Sequence, residues 1–140
     1  GDVRLLNRPS LAIVGSRKCS EYGRQTALKI GKEAGKNNLV VVSGMASGID
    51  SFGHMGALQA GGKTVAVMGC GVDICYPKEN KELYKDICLN GTIFSEYAPG
   101  VRAQTFTFPA RNSYRNFLNF QFGINVESQE AAIDAVLAKT

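Results

Sequence analysis

Short, largely apolar runs alternate along the chain with longer stretches in which apolar positions recur at helical spacing. The runs cover residues 11–14, 39–42, 64–68 and 92–95. Continuous runs of this length beside glycine-rich turns are typical of strands buried in a parallel sheet. Because a helical stretch follows each of the first three runs, the pattern predicts a parallel sheet whose strands are joined by helices.

The helical stretches have recognisable starts and ends. Ser20 is placed to cap the first helix, whose apolar stripe runs from Tyr22 to Ala34 and ends before Asn37. Further helices with the same spacing are predicted over residues 49–60, 80–88 and 128–139. The predicted fold class is therefore α/β, with helices on both faces of a parallel sheet in a three-layer α/β/α arrangement.

Charge is distributed unevenly over a chain whose size suits one domain. The 140 residues have a mass of 15.0 kDa and a net charge of +4. Residues 1–40 hold eight of the basic side chains and three acidic ones. An anion-binding face should therefore draw on this segment, which contains Arg17 and Lys18.

Metal and membrane chemistry have little support in the composition. The four cysteines form no Cys-x-x-Cys pair, and His54 is the single histidine. Structural zinc sites need four such ligands at compact spacing. No apolar run approaches the roughly 20 residues that cross a bilayer, and no signal peptide is recognisable. We expect a reduced, cytoplasmic protein without a metal, a cofactor or membrane contact.

Two glycine-rich turns follow the first two predicted strands, at residues 15–18 and 43–50. Ligands of an open parallel sheet bind beyond the carboxyl ends of its strands. Backbone N–H groups at helix N-termini favour anions there, and the guanidinium of Arg17 suits phosphate. The pattern predicts a phosphate-bearing ligand at this edge. The alternative is that the glycines serve only to make tight turns.

Two nucleotide-binding motifs are incomplete. Residues 62–64 (Gly-Lys-Thr) match the end of a P-loop, but Ala57 replaces the required earlier glycine, and the segment joins a helix to a strand. The dinucleotide fingerprint that begins at residues 69–71 has Ile74 at its third glycine position. Neither an NTPase nor a dehydrogenase is supported.

A hydrolytic triad could be imagined from Ser43, Asp50 and His54, of which the last two are four residues apart on a predicted helix. The sequence has no Gly-x-Ser-x-Gly nucleophile elbow to support it. We expect His54 to hydrogen-bond with Asp50 near the helix start, and we predict no catalytic residues.

Aromatic residues lie beside an arginine and an amide in the segment that contains Phe106, Phe108, Arg111 and Asn112. Aromatic rings next to arginine suit single-stranded nucleic acid, whose unstacked bases stack while the guanidinium holds phosphate. The alternative is that the two phenylalanines cover the sheet edge. Composition favours neither reading.

Taken in order, nine segments resemble the DNA-processing protein A family, also called DprA or Smf. They are residues 12–17, 22–23, 42–50, 54, 56–58, 69–73, 76–80, 95–100 and 108–112. In that family an extended Rossmann-like domain binds single-stranded DNA, loads the RecA recombinase during natural transformation and forms dimers. The resemblance implies a non-enzymatic protein without a cofactor, whose partners are single-stranded DNA, a RecA-type recombinase and a second copy of itself.

The resemblance also implies which residues contact DNA. These are Gly15, Ser16, Arg17, Ser43, Gly44, Phe108, Arg111 and Asn112. Lys18 is added because it adjoins Arg17 in the basic segment.

The sequence departs from the family pattern at two places. Residues 103–107 contain no Lys or Arg, and Arg102 is the nearest substitute, so we expect weaker DNA affinity. The Rossmann-like pattern is also incomplete after residue 112. We predict a single domain over residues 1–140 with a segment near 112–116 that is either deleted or absent from this sequence. We favour absence, because the loss of central strands would leave a long unpaired edge.

The competing hypothesis is a nucleotide-binding protein or an enzyme of a related superfamily, similar to the cytokinin-activating phosphoribohydrolases that cleave nucleoside monophosphates. Their Pro-Gly-Gly-x-Gly-Thr motif does not occur in the sequence, which favours DNA binding. The motif would fall in the absent stretch, however, so this alternative stays open.

Overall fold

The computed structural model describes residues 1–103. Predictions on residues 104–140, among them the helix over 128–139 and the segment around Phe108, lie outside the described residues. The described chain forms four strands and three α-helices in the predicted order. The strands are β1 (Ser10–Ala12), β2 (Val40–Ser43), β3 (Thr64–Val67) and β4 (Thr92–Phe94). The helices are α1 (Glu21–Lys36), α2 (Ile49–Gln59) and α3 (Lys81–Asn90). None of these helices combines the length and apolar character needed to cross a membrane.

The four strands form one parallel sheet in the order β1-β2-β3-β4. Leu11 lies opposite Val41 in the first pair of strands. Val42 lies opposite Val65 in the second pair. Each connection between neighbouring strands contains a helix, as parallel pairing requires. The predicted α/β class and the parallel sheet are confirmed.

The three α-helices pack against one face of this sheet. Val41 of β2 shares a buried cluster with Ile30 of α1 and Ile49 of α2. Ala66 of β3 shares another with Ile87 of α3. Side chains alternate between the two faces along a strand, so these contacts place all three helices on the same side.

The opposite face is lined by valines and meets a 3-10 helix at residues Val3–Asn7. Val40, Val42 and Val65 are at most 2% exposed and pack with Leu5 of that helix. The hydrophobic pattern did not predict this element. Within residues 1–103, this 3-10 helix is the helical element that packs on the face of the sheet opposite the three α-helices.

Glycines bring α1 and α2 into close contact. A Cβ atom on Gly31 would lie 2.4 Å from the carbonyl oxygen of Gly53, and one on Gly56 would lie 2.3 Å from that of Leu28. A side chain at either position would collide with backbone of the other helix. The close contact holds the two helices side by side, and with them the turns that lead into their N-termini.

The apolar stripe of α1 differs from the prediction at its first turn. Gly23 and Ala27 are buried, whereas Tyr22 is 69% exposed. Ser20 caps the helix, because its hydroxyl accepts a hydrogen bond from the N–H of Gly23 at 3.1 Å. Successive helical residues point about 100° apart, so Gly23 takes the inward position and its neighbour Tyr22 faces solvent.

Candidate functional site

The β1–α1 turn presents an exposed basic segment at the carboxyl end of the sheet. Ser16, Arg17 and Lys18 are all exposed. The Ser16 hydroxyl accepts a hydrogen bond from the Lys18 N–H at 3.2 Å and donates one to the Lys18 carbonyl at 2.9 Å. Ser16 therefore shapes the turn, while the cationic side chains of Arg17 and Lys18 extend from it.

Two glycines let this turn pack against the start of α2. A Cβ atom on Gly15 would lie 2.8 Å from the side chain of Ile49. Gly48 has a φ of +82°, and a Cβ there would lie 2.3 Å from the Ser16 carbonyl oxygen. That carbonyl accepts a hydrogen bond from the Ile49 N–H at 3.1 Å. The sequence analysis placed these glycines at tight turns. In the structure they also let the two turns pack closely against each other.

Ser43 and Gly44, which were predicted to face a ligand, have structural partners. Ser43 is fully buried, and its hydroxyl donates to the carbonyl of Ile13 at 2.5 Å. The N–H of Gly44 donates to the carboxylate of Asp50 at 2.9 Å. Ser43 thus ties β2 to the end of β1, and its hydroxyl is directed into the core.

His54 joins the β2–α2 loop to β3. Its Nε2 lies 3.2 Å from the backbone nitrogen of Met45, and its Nδ1 lies 2.5 Å from the Thr64 hydroxyl oxygen. The Thr64 hydroxyl donates in turn to the Val41 carbonyl at 2.7 Å. Since Met45 N–H is a donor, Nε2 accepts and the proton lies on Nδ1. The side chains of Asp50 and His54 each accept a hydrogen bond from an N–H group of this loop. The bond expected between His54 and Asp50 stays a prediction.

A segment after β3 closes over the same loop. The Asn80 amide donates to the Met45 carbonyl at 2.8 Å and to the Ser51 hydroxyl at 2.9 Å. The Ser47 hydroxyl donates to a carboxylate oxygen of Glu79 at 3.1 Å. The β2–α2 loop is therefore held from the core side by Asp50 and His54, and from this segment by Asn80 and Glu79.

These three segments enclose an open cleft of about 130 Å³. It is lined by Arg17, Gly44, Ala46, Ser47, Tyr76, Pro77 and Glu79. Of the predicted binding residues, the cleft brings together Arg17 and Gly44. Ser16 and Lys18 belong to the adjoining turn, and Phe108, Arg111 and Asn112 lie outside the described residues.

Sequence reasoning did not assign the part of the cleft formed by Ser47, Tyr76 and Glu79. Tyr76 is 43% exposed and contributes an aromatic face. The one signal for it was the Tyr-Pro-x-x-Asn pattern at residues 76–80, which was used for the resemblance and given no role. The cleft therefore combines a cation with an aromatic ring and a carboxylate.

The neighbouring thiol is poorly suited to nucleophilic chemistry. Burial raises the pKa of the Cys75 thiol above its usual value, so the thiol is neutral near pH 7.

In residues 1–103, no group of three or more His, Cys, Asp or Glu side chains is arranged to hold a metal ion.

A second cavity, of about 360 Å³, lies at the amino ends of the strands. Gly1, Lys63 and Gly91 are among the residues that line it. Ligands of open parallel sheets bind beyond the carboxyl ends, and the glycine-rich turns are there too. We therefore assign the candidate site to the cleft beside Arg17.

Comparison with known proteins gives a consistent family match. The family model for DNA recombination-mediator protein A matches residues 1–119. The DNA processing protein DprA of Streptococcus pneumoniae is 49% identical over 112 residues, which are 80% of this chain and 39% of that protein. Protein Smf of Synechocystis is 39% identical over 104 residues, which are 74% of this chain and 26% of that protein. The chain thus spans about two fifths of the length of these relatives or less.

Two solved structures have the same fold. DNA processing protein A of Helicobacter pylori, whose single-stranded DNA binding mode has been described, has a TM-score of 0.78 and 34% identity, over 84% of this chain and 54% of that one. The S. pneumoniae DprA structure has a TM-score of 0.76 and 37% identity, over 99% of this chain and 50% of that one.

Proposed function

This chain belongs to the family of DNA recombination-mediator protein A, and from that membership we propose that it binds single-stranded DNA at the cleft beside Arg17. The observation that carries the proposal is that Arg17 and the exposed ring of Tyr76 line the same cleft. A guanidinium holds phosphate through two parallel hydrogen bonds, and an aromatic face stacks on an unpaired base. Bases in a duplex already stack on their neighbours, so this combination favours single strands.

The proposed role is binding without catalysis. Ser43 and His54 are both fully buried, and their polar atoms bond to the core and to the β2–α2 loop. A nucleophile needs an adjacent base and access to substrate. These contacts support a structural role for both residues. The raised pKa of Cys75 keeps its thiol protonated, which also argues against a nucleophile here.

The biological setting is part of the same proposal. We propose that the protein acts in the cytoplasm, in DNA processing during natural transformation, with a RecA-type recombinase and as a homodimer. Family membership supports these partners, and light scattering of the purified protein tests the dimer. The DNA-contacting roles of Phe108, Arg111 and Asn112 stay predictions. So does the single domain over residues 1–140, for which we expect one cooperative thermal unfolding transition.

The test removes one positive charge inside the cleft and one outside it. Arg17→Ala should weaken binding of fluorescent oligo-dT and reduce the slope of log K against log salt by about 0.7, the effect of one phosphate contact. Arg4→Ala is the matched control, because Arg4 is exposed near the amino ends of the strands, where it pairs with Asp2. It should leave the slope and affinity unchanged. Equal behaviour of the two variants would refute the assignment of the cleft.

A parallel incubation with nucleoside monophosphates separates binding from hydrolysis. We expect no release of free base. Base release that Arg17→Ala abolishes would favour the phosphoribohydrolase alternative over the non-enzymatic role.

A further inference from the structure

Two aromatic residues are exposed in the described part of the chain: Tyr76 lines the same cleft as Arg17, and Tyr22 follows Arg17 closely in the sequence. Tyr76 lines the cleft, whereas Tyr22 lies outside it on the first turn of α1. Tyr22 is 69% exposed, although the sequence pattern predicted it to be part of the core. A single exposed aromatic ring is common, so its surroundings decide whether it has a role.

The chain around Tyr22 carries more basic than acidic side chains. Arg17 and Lys18 are exposed on the preceding turn. The acidic neighbour Glu21 pairs with Arg24 and also accepts a hydrogen bond from the Gln25 amide at 3.0 Å. The Arg24 hydrogen bond holds the pKa of Glu21 below its usual value, so the pair is neutral at physiological pH. Lys18, exposed four residues before Tyr22, adds positive charge that favours a polyanion on this side of the turn.

We propose that Tyr22 is a second stacking site, on which a base of the bound single strand rests after the strand leaves the cleft. This inference rests on the proposed function. Tyr22 is five positions after Arg17 in the sequence, which limits their Cα–Cα distance to about 18 Å. About five nucleotides at the duplex rise of 3.4 Å cover that span, and an extended strand needs fewer. A continuous strand of about five nucleotides is therefore long enough to occupy the cleft and Tyr22 together.

A tryptophan at this position reports stacking directly. The chain contains no tryptophan, so Tyr22→Trp introduces a unique indole fluorophore. Titration with oligo-dT should quench its fluorescence with the same Kd that anisotropy gives, because the indole stacks on a base. Leu89→Trp is the matched control, since Leu89 is 81% exposed at the far end of α3. Its indole should not respond.

Removal of the ring gives the complementary measurement. Tyr22→Ala should weaken single-strand binding at least fivefold, with about 5- to 150-fold as the range for one stacked base. The salt slope and the Tm should not change, because no phosphate contact or buried group is lost. Tyr22→Phe should restore binding, and Leu89→Ala should have no effect.

The outcomes separate this inference from the proposed function. If wild-type protein binds oligo-dT with the expected dependence on Arg17, while Tyr22→Ala binds within twofold of wild type and the indole is not quenched, Tyr22 has no stacking role. If wild-type protein fails to bind oligo-dT, the proposed function is wrong and the inference falls with it. Normal DNA binding by Tyr22→Ala with loss of recombinase association would assign the ring to a protein contact and also overturn stacking.

Discussion

Replacement of His54 by alanine should destabilise the fold while leaving the cleft able to bind. The imidazole is fully buried and contacts the backbone nitrogen of Met45 and the hydroxyl of Thr64. Without it, the Met45 N–H loses its acceptor, which costs about 1–3 kcal/mol for a buried donor. Truncation of a buried side chain of this size adds about 2–5 kcal/mol, partly overlapping with the first loss. We expect a total decrease of about 3–5 kcal/mol in the free energy of unfolding.

Urea denaturation of wild type and variant, followed by circular dichroism, measures this loss at an unchanged m-value. Thr64→Val is a useful partner, because the two residues share a hydrogen bond. The double variant should lose less than the sum of the single losses. At temperatures where His54→Ala is folded, its affinity for oligo-dT should stay within about twofold, because Asn80 and Glu79 still hold the loop and His54 makes no ligand contact.

Two results would contradict this account of His54. A loss of stability below about 1 kcal/mol would mean that the ring is dispensable to the loop, since even one orphaned buried donor should cost that much. A large loss of affinity at full stability would mean that His54 acts on the ligand.

The remaining predictions concern packing. Gly56→Ala places a Cβ 2.3 Å from the Leu28 carbonyl oxygen and should destabilise the protein by about 1–3 kcal/mol, measured by thermal denaturation; an unchanged Tm would show that α1 and α2 separate easily. Ser10→Ala should stabilise it by about 1 kcal/mol, because the buried Ser10 hydroxyl has no hydrogen-bond partner among the described residues; a lower Tm would reveal a partner for that hydroxyl.

The sheet could be predicted because its strands are continuous apolar runs. Side chains of β2 point to the two faces of the sheet in turn, as Val40, Val41 and Val42 show. Both faces are covered, so a continuous apolar run is enough to predict that all three are buried. Tyr22 could not be placed this way. Its helical spacing fits the apolar stripe, but the orientation of the first turn depends on the cap at Ser20 and on Gly23 facing inward.

The cleft was harder to predict than the fold because it joins segments distant in sequence. Arg17 and the glycine turns could be identified, since they follow directly after strands. Ser43 was assigned to the ligand from the family resemblance, and the pattern gave no sign that its hydroxyl bonds to Ile13, which is 30 residues away. Glu79 gave no signal, because its position beside Ser47 depends on how the segment after β3 folds back.

The hydrogen bonds that hold the β2–α2 loop affect both the conformational entropy and the rate of ligand binding. Residues 46–48 are already fixed, and ordering three residues on binding would cost about 3–6 kcal/mol of conformational entropy. A ligand at this cleft avoids that loss, so we expect no slow ordering of this loop before complex formation. We then expect association to be limited by electrostatic encounter and to slow as salt increases. Differences in affinity between strands should appear in the lifetime of the complex.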